Sequence, residues 1–466
     1  MTRRLWCAGV LVIMLALALG GCTLRGHPSA RKALQPSGGP SPNNSGQAAS
    51  CPATYAAPDP HRPVIRLRFD LAADRRSVSG TESVRFTPDL PVTEMVFRLW
   101  PNGASAPAGT RLTVTRAAVA RGGAFVARPG SQGTLLAIPL GRTAPAGAVI
   151  TADLAFTLEL PPPAFERWGS NGTTAWWASG HPLLAWERGR GWQRQPAVRF
   201  PSEAASSEAA NTDLTVTAPA GDTVLMTGLT GPPQPLPAGR ALWHAAAPTA
   251  RDVSVAVGKF ATRTATVAGS RITVGVSSDT VADVDGLMVE TRRAVTALKP
   301  LFGPFPYPSL TVVALPSLST GGIEYPGAIQ VGPGGWHVVL PHEVAHQYFY
   351  GMVGDNQARD PWLDEAFATY SEALVNHDES HYLPALDLPS PVGAPMEAWG
   401  SDDKSYYATV YGKGAAALLT ARSRAGGARF DAALRCYVAA NAWKVARPDD
   451  LARALAGLPR ALVVLR

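Results

Sequence analysis

Residues 339–350, VLPHEVAHQYFY, restrict what this chain can fold into more than any other stretch. His342 and His346 stand four apart, with Glu343 directly after the first. On an α-helix, positions i and i+4 share a face, so both imidazoles reach one metal ion. Glu343 then lies close enough to take a proton from water at that metal. A tetrahedral catalytic zinc takes three protein ligands and keeps a fourth position open. The fold must therefore bury this helix and bring a third ligand to it.

The chain before that helix reads as β-structure. Ile65, Leu67, Phe69 and Leu71 alternate with Arg66, Arg68 and Asp70, as in a half-buried strand. Similar runs fall at 83–86, 92–100, 110–119 and 149–160, then at 212–218, 223–227, 241–246 and 253–257, with Pro- and Gly-rich turns between them. Trp176, Trp177, Trp186 and Trp192 crowd one stretch, either buried between two sheets or lining a cleft. After a strand at 271–276 the pattern turns helical over 281–298, ending at Lys299-Pro300, and a β-rich run follows at 310–315. Short helices are expected near 431–441 and 449–456. Strands first and helices later is the grammar of a β-domain followed by an α+β domain. At 46% apolar and 17% charged residues the chain is globular rather than disordered. Its net charge of +7 is spread without a basic stripe or a nucleic-acid motif, which excludes a nucleic-acid partner.

Downstream of the histidines the chain reads Asp360-Pro361-Trp362-Leu363-Asp364-Glu365-Ala366-Phe367-Ala368, and Pro361 suits the start of a buried helix. Eighteen residues separate His346 from Glu365. This arrangement resembles the gluzincin metallopeptidases, and among them the aminopeptidase N family, with HExxH, eighteen residues, then Glu in a WLNEGFA-like segment. Asp364 and Ala366 depart from that segment. The resemblance implies one zinc per chain on His342, His346 and Glu365, with Glu343 as general base. It also implies a saddle-like all-β N-terminal domain, taken as residues 55–265, and a thermolysin-like catalytic domain at 266–466.

Two further segments resemble the same family. Thr409-Val410-Tyr411-Gly412-Lys413-Gly414-Ala415 matches its Tyr-x-Lys-Gly-Ala run, which implies that Tyr411 donates to the oxyanion, although Tyr411 follows Glu365 by only 46 positions. Gly321-Gly322-Ile323-Glu324-Tyr325 matches its Gly-x-Met-Glu-Asn run, with Ile and Tyr in place of Met and Asn. There an edge strand binds the peptide, which implies substrate-binding roles for Gly321, Gly322 and Glu324, the last on the substrate's free amine. Glu203 and Glu208 are weak candidates for a second amine contact. Thr369 stands one turn after Glu365 and is placed to support it. His377 and His381 repeat the i, i+4 spacing but have polar, loop-like flanks and read as surface residues, as does His337. Few residues follow Tyr411, so the helical domain that roofs the cleft in many relatives is not expected, and the cleft should be open.

At the N-terminus, Arg3-Arg4, an apolar run from 5 to 19 and Leu19-Gly20-Gly21-Cys22 resemble a bacterial lipoprotein signal, residues 1–21, with lipid on Cys22. A plain secretory signal and an uncleaved anchor are the alternatives. All three place the body outside the cytoplasm, and the lipoprotein reading anchors it to the membrane. Residues 22–54, rich in Ser, Gly and Pro, read as a flexible tether. Cys51 and Cys436 are free to pair in that compartment.

The expected activity is that of a zinc-dependent metallopeptidase, an aminopeptidase acting on extracytoplasmic peptides. A zinc endopeptidase with an open cleft is one alternative, and a non-catalytic zinc-stabilised peptide-binding lipoprotein is the other.

Overall fold

Ile65, Leu67, Phe69 and Leu71 are buried and Arg66, Arg68 and Asp70 exposed along the strand Val64–Leu71 of the computed structural model, as the alternation requires. The structure describes residues 51–465, apart from residues 53, 107, 120–123, 126–132, 163–166, 196–205, 317, 319 and 320. Cys22, the expected lipid site, and Glu203 lie outside the described residues.

Val64–Leu71 lies inside a nine-stranded sheet. It pairs parallel with Ala210–Pro219 and antiparallel with Ser77–Phe86. Two smaller sheets supply the aromatic half of the core. Trp177 meets Phe69 edge-on at 5.5 Å and Trp186 meets Phe86 at 5.3 Å. Trp176, Trp177 and Trp186 are fully buried, so of the two readings of this aromatic stretch, packing between sheets is the one observed.

A second sheet carries the site. Its strands run in the order Phe260–Val267, Ser270–Ser277, Ser309–Ala314, Ala328–Val331 and Gly322–Tyr325. Ser270–Ser277 and Ser309–Ala314 pair in parallel, joined by helix α1, Val284–Phe302. The break expected after residue 265 falls inside Phe260–Val267, which belongs to this sheet. Most of that strand is exposed, so no buried face marked it in the sequence. Helix α1 starts three residues later than expected, where the Asp283 carboxylate accepts from the Asp285 and Gly286 N–H groups. It passes through Pro300 and closes at Gly303, whose φ of 104° suits a residue without Cβ.

Helix α2, Trp336–Ala345, packs against α1, against the edge strand Gly322–Tyr325 and against helix α3, Trp362–Asn376. Helices Gly427–Asn441 and Pro448–Ala454 match the two expected near the C-terminus, and Pro459–Leu465 adds a third.

The end of the expected tether is fixed. Cys51 is disulfide-bonded to Cys436. The Tyr55 hydroxyl donates to the Pro304 carbonyl at 2.5 Å, and the Ala56 N–H donates to the Ala439 carbonyl at 2.9 Å. These contacts hold the N-terminal strap against the catalytic half. Because the bridge closes a loop of several hundred residues, Cys436→Ser should cost about 2–4 kcal/mol in chemical denaturation. An unchanged denaturation midpoint would show that the strap carries no stability.

Candidate active site

Helix α2 begins at Gly335, which takes a positive φ of 75° that suits glycine. Pro341 lies inside the helix and cannot donate to the carbonyl of His337 one turn back. That carbonyl instead accepts from Arg293 Nη2 of α1 at 2.5 Å. The helix ends at His346, so His342 and His346 occupy its last turn. The apolar neighbours Leu340, Val344 and Ala345 are buried and fix which face the imidazoles present.

Glu365 comes from the first turn of α3. Its Oε2 lies 3.4 Å from His342 Nε2 and 3.4 Å from His346 Nε2. The outer nitrogens face other carboxylates: His342 Nδ1 is 3.3 Å from Glu372 Oε2, and His346 Nδ1 is 2.5 Å from Asp364 Oδ1. Glu365 is 3% exposed and its Oε2 has no hydrogen-bond partner among the described residues. A buried oxygen facing two imidazole nitrogens is the geometry a cation would complete. Two nitrogens and one carboxylate oxygen suit zinc. His342, His346 and Glu365 therefore fit the metal that the motif implies.

The electrostatics agree. Burial pulls the His342 imidazole down, but Glu365 and Glu372 push it up to about 10. Burial pushes Glu365 up, yet His346 and His342 hold it well below the usual carboxylate range. The carboxylates that keep protons on these imidazoles would equally hold a divalent cation in their place.

Glu343 is buried beside the edge strand, and burial pushes its carboxyl up to about 7 against the pull of His342 and His346. A Cβ on Gly322 would stand 2.5 Å from Glu343 Oε1. Gly322 thus makes room for Glu343, beside the substrate contact expected of it. Gly321 accepts from the Gly332 N–H at 2.8 Å and donates to the Leu318 carbonyl at 2.9 Å. Glu324 is 4% exposed, and its Oε1 has no hydrogen-bond partner among the described residues. Burial pushes its carboxyl up to about 8, with His346 opposing and Asp364, Glu365 and Glu343 adding to the shift. Tyr325, which replaces the family's Asn, turns to the β-domain and accepts from Arg167 Nη1 at 3.1 Å.

The Tyr411 ring lies parallel to the His342 ring, 5.8 Å away. It sits in a π-helical stretch, Tyr407–Lys413, a widened turn of the kind that recurs at functional sites. Burial and the facing Glu365 keep its phenol protonated, as a donor must be. Lys413 Nζ donates to the Ser390 carbonyl at 2.9 Å and so ties down the shortened connection from α3.

The other candidates sort cleanly. Thr369 Oγ1 donates to the Glu365 backbone carbonyl at 2.9 Å. Glu208 is engaged by Arg188 Nε at 2.8 Å and is not brought to the metal ligands. His337, His377 and His381 are exposed. Sequence reasoning missed Glu372 and the use made of Asp364. The i+7 spacing of Glu372 from Glu365 was the available signal for the first.

Residues 336–462 match the family model described as the peptidase family M1 domain. Aminopeptidase M1-A of Oryza sativa is 25% identical over 236 residues, covering 44% of this chain and 27% of the rice protein. Endoplasmic reticulum aminopeptidase 1 of Homo sapiens is 24% identical over 186 residues, 33% of this chain and 20% of the human protein. The matches thus span about a quarter or less of these curated relatives' length. Among solved structures, an M1 zinc metallopeptidase from Deinococcus radiodurans superimposes with a TM-score of 0.63 at 22% identity, over 89% of this chain and 95% of that one. A variant of it has been solved with a Tyr-Ser-Ala substrate. The architecture, a β-rich N-terminal domain followed by a helix-rich domain, is shared with these solved structures, and His342, His346 and Glu365 are placed to hold a metal ion.

Purified after a zinc-replete preparation, the protein should hold about one zinc per chain by elemental analysis, and His342→Ala and Glu365→Ala should each fall to trace levels. Stoichiometric zinc in either variant would mean that the ligand set is wrong.

Proposed function

We propose that this chain is a zinc-dependent aminopeptidase that releases N-terminal residues from peptides. The observation that carries the reading is Glu324, a buried carboxylate with an unpartnered oxygen, on an edge strand beside the metal ligands. One of its oxygens stands within 4.8 Å of ligand atoms of His346 and Asp364. A protonated amine is the natural partner for such a group, since a charge-assisted hydrogen bond exceeds a neutral one. Glu324, Glu343, Asp364 and Glu365 are all buried at the site, and a substrate ammonium beside Glu324 would favour the ionised form of its carboxyl.

The chemistry that zinc would supply here is Lewis acidity toward the scissile carbonyl and toward water. Glu343 takes the proton of the attacking water and returns it to the leaving amine, and a carboxyl pushed up to about 7 is suited to both transfers. The Tyr411 phenol donates to the oxygen that gains charge. Glu324 holds the substrate's amine and so sets the scissile bond one residue from the N-terminus.

The place of action belongs to the same proposal. The lipoprotein-like leader and Cys22 support a location outside the cytoplasm on a lipid anchor, and the Cys51–Cys436 disulfide supports an oxidising compartment.

Glu343→Gln should keep its zinc and lose activity by orders of magnitude, because an amide cannot accept the proton. Tyr411→Phe should keep zinc and lose about 10²–10³ in kcat. Near-normal turnover by either variant would reassign its role. The test of the whole reading is a matched pair of peptides, free and N-acetylated. Wild type should cleave the free peptide alone, and Glu324→Ala should raise KM for it. Equal cleavage of both peptides by wild type would make the enzyme an endopeptidase.

A further inference from the structure

Where the resembled family has asparagine, this chain has Asp364, and its carboxylate is fully engaged inside the protein. Oδ1 meets His346 Nδ1 at 2.5 Å, and Oδ2 accepts from Gln357 Nε2 at 2.9 Å. His346, Asp364 and Gln357 are each 2% exposed or less, so no solvent competes for these bonds. We propose that Asp364 is a positioning residue for zinc: it fixes the His346 tautomer with the proton on Nδ1 and makes Nε2 a stronger donor toward the metal.

The geometry supports this in three steps. Gln357 can only donate through Nε2, so Oδ2 of Asp364 is an acceptor and the carboxylate needs no proton of its own. Oδ1 then accepts the Nδ1 proton of His346. That leaves a lone pair on Nε2, which faces Glu365 Oε2 at 3.4 Å, where zinc would lie between them. A carboxylate on the far side of a metal-bound imidazole raises its basicity and locks its ring.

Glu324, His346 and Asp364 also bring ligand atoms within 4.8 Å of one another, which raises the alternative of a second ion at those three residues. His346 Nδ1 and Asp364 Oδ1 are already joined by a hydrogen bond, so these two atoms are engaged with each other. Asp364 is thereby an outer partner of the first site. His342 has its own outer carboxylate in Glu372, which also accepts from the Tyr382 hydroxyl at 2.6 Å. The two imidazoles are thus supported separately. Asp364 serves His346 alone.

This inference rests on the zinc reading, and its test separates the two. Zinc affinity would be measured by competition with a chromogenic chelator on the full protein, together with the visible absorption spectrum of the cobalt-substituted form. Wild type that binds no zinc would end the zinc reading itself. If wild type binds, Asp364→Asn should weaken affinity about 10–100-fold and shift the cobalt spectrum. Gln357→Ala, which leaves the carboxylate but frees its second oxygen, should move both readouts in the same direction by less. A purely structural role for Asp364 would change the melting temperature and leave the cobalt spectrum alone. Wild-type affinity and an unshifted spectrum in folded Asp364→Asn would overturn the proposal, and affinity lost only in Gln357→Ala would overturn it as well.

Discussion

Two imidazole nitrogens aimed at one buried carboxylate oxygen form the arrangement on which the rest of this structure depends. His342, His346 and Glu365 meet within hydrogen-bonding reach of one another, and Glu343, Asp364 and Glu324 bring three more buried carboxyl groups into the same low-dielectric space. Buried charges are tolerated only where they are paired or coordinate a metal. Much of the fold serves to impose this concentration of charge. Helices α2 and α3 pack directly on one another, and the edge strand Gly322–Tyr325 closes the third side. Gly322 gives up a side chain so that Glu343 fits.

The β-domain takes part in setting the ligand geometry. Between His346 and Glu365 the chain makes a loop that must return Glu365 to the histidines, and residues of the β-domain hold that loop. Arg251 Nε donates to the Gly351 carbonyl at 3.2 Å and Nη1 donates to Ser207 at 2.6 Å. Asn356 Nδ2 donates to Gln193 Oε1 at 2.7 Å, and Arg359 reaches Glu187 at 3.2 Å. Glu187 is 1% exposed, so its contact with Asn356 is shielded from solvent, while its pair with Arg359 lies at the edge of that buried patch. Gln357, which steadies Asp364, belongs to the same loop. The N-terminal strap adds a covalent tie on the far side through Cys51 and Cys436.

What could be read from the sequence followed the range of the interaction. His342 and His346 are one helical turn apart, so local periodicity sufficed for them. Val64–Leu71 betrayed itself by strict alternation, and Glu365 by the family's spacing. Contacts that cross between elements left little trace. Nothing local says that Asp364 meets His346 across α2 and α3, or that Tyr411 enters a π-helical turn. The space Gly322 leaves for Glu343 was not legible because it depends on where Glu343 lands. The expected break after residue 265 cuts Phe260–Val267 because its exposed residues give no period to read, and the disulfide stayed open because it requires the strap to dock.

The most direct measurement is diffraction from crystals of the zinc-bound protein at wavelengths on either side of the zinc absorption edge. The account predicts one anomalous peak per chain, bonded to Nε2 of His342, Nε2 of His346 and a Glu365 carboxylate oxygen at about 2.0–2.2 Å. A peak centred instead on Glu324 and Asp364, or no zinc-specific peak at a site shown occupied by elemental analysis, would contradict it.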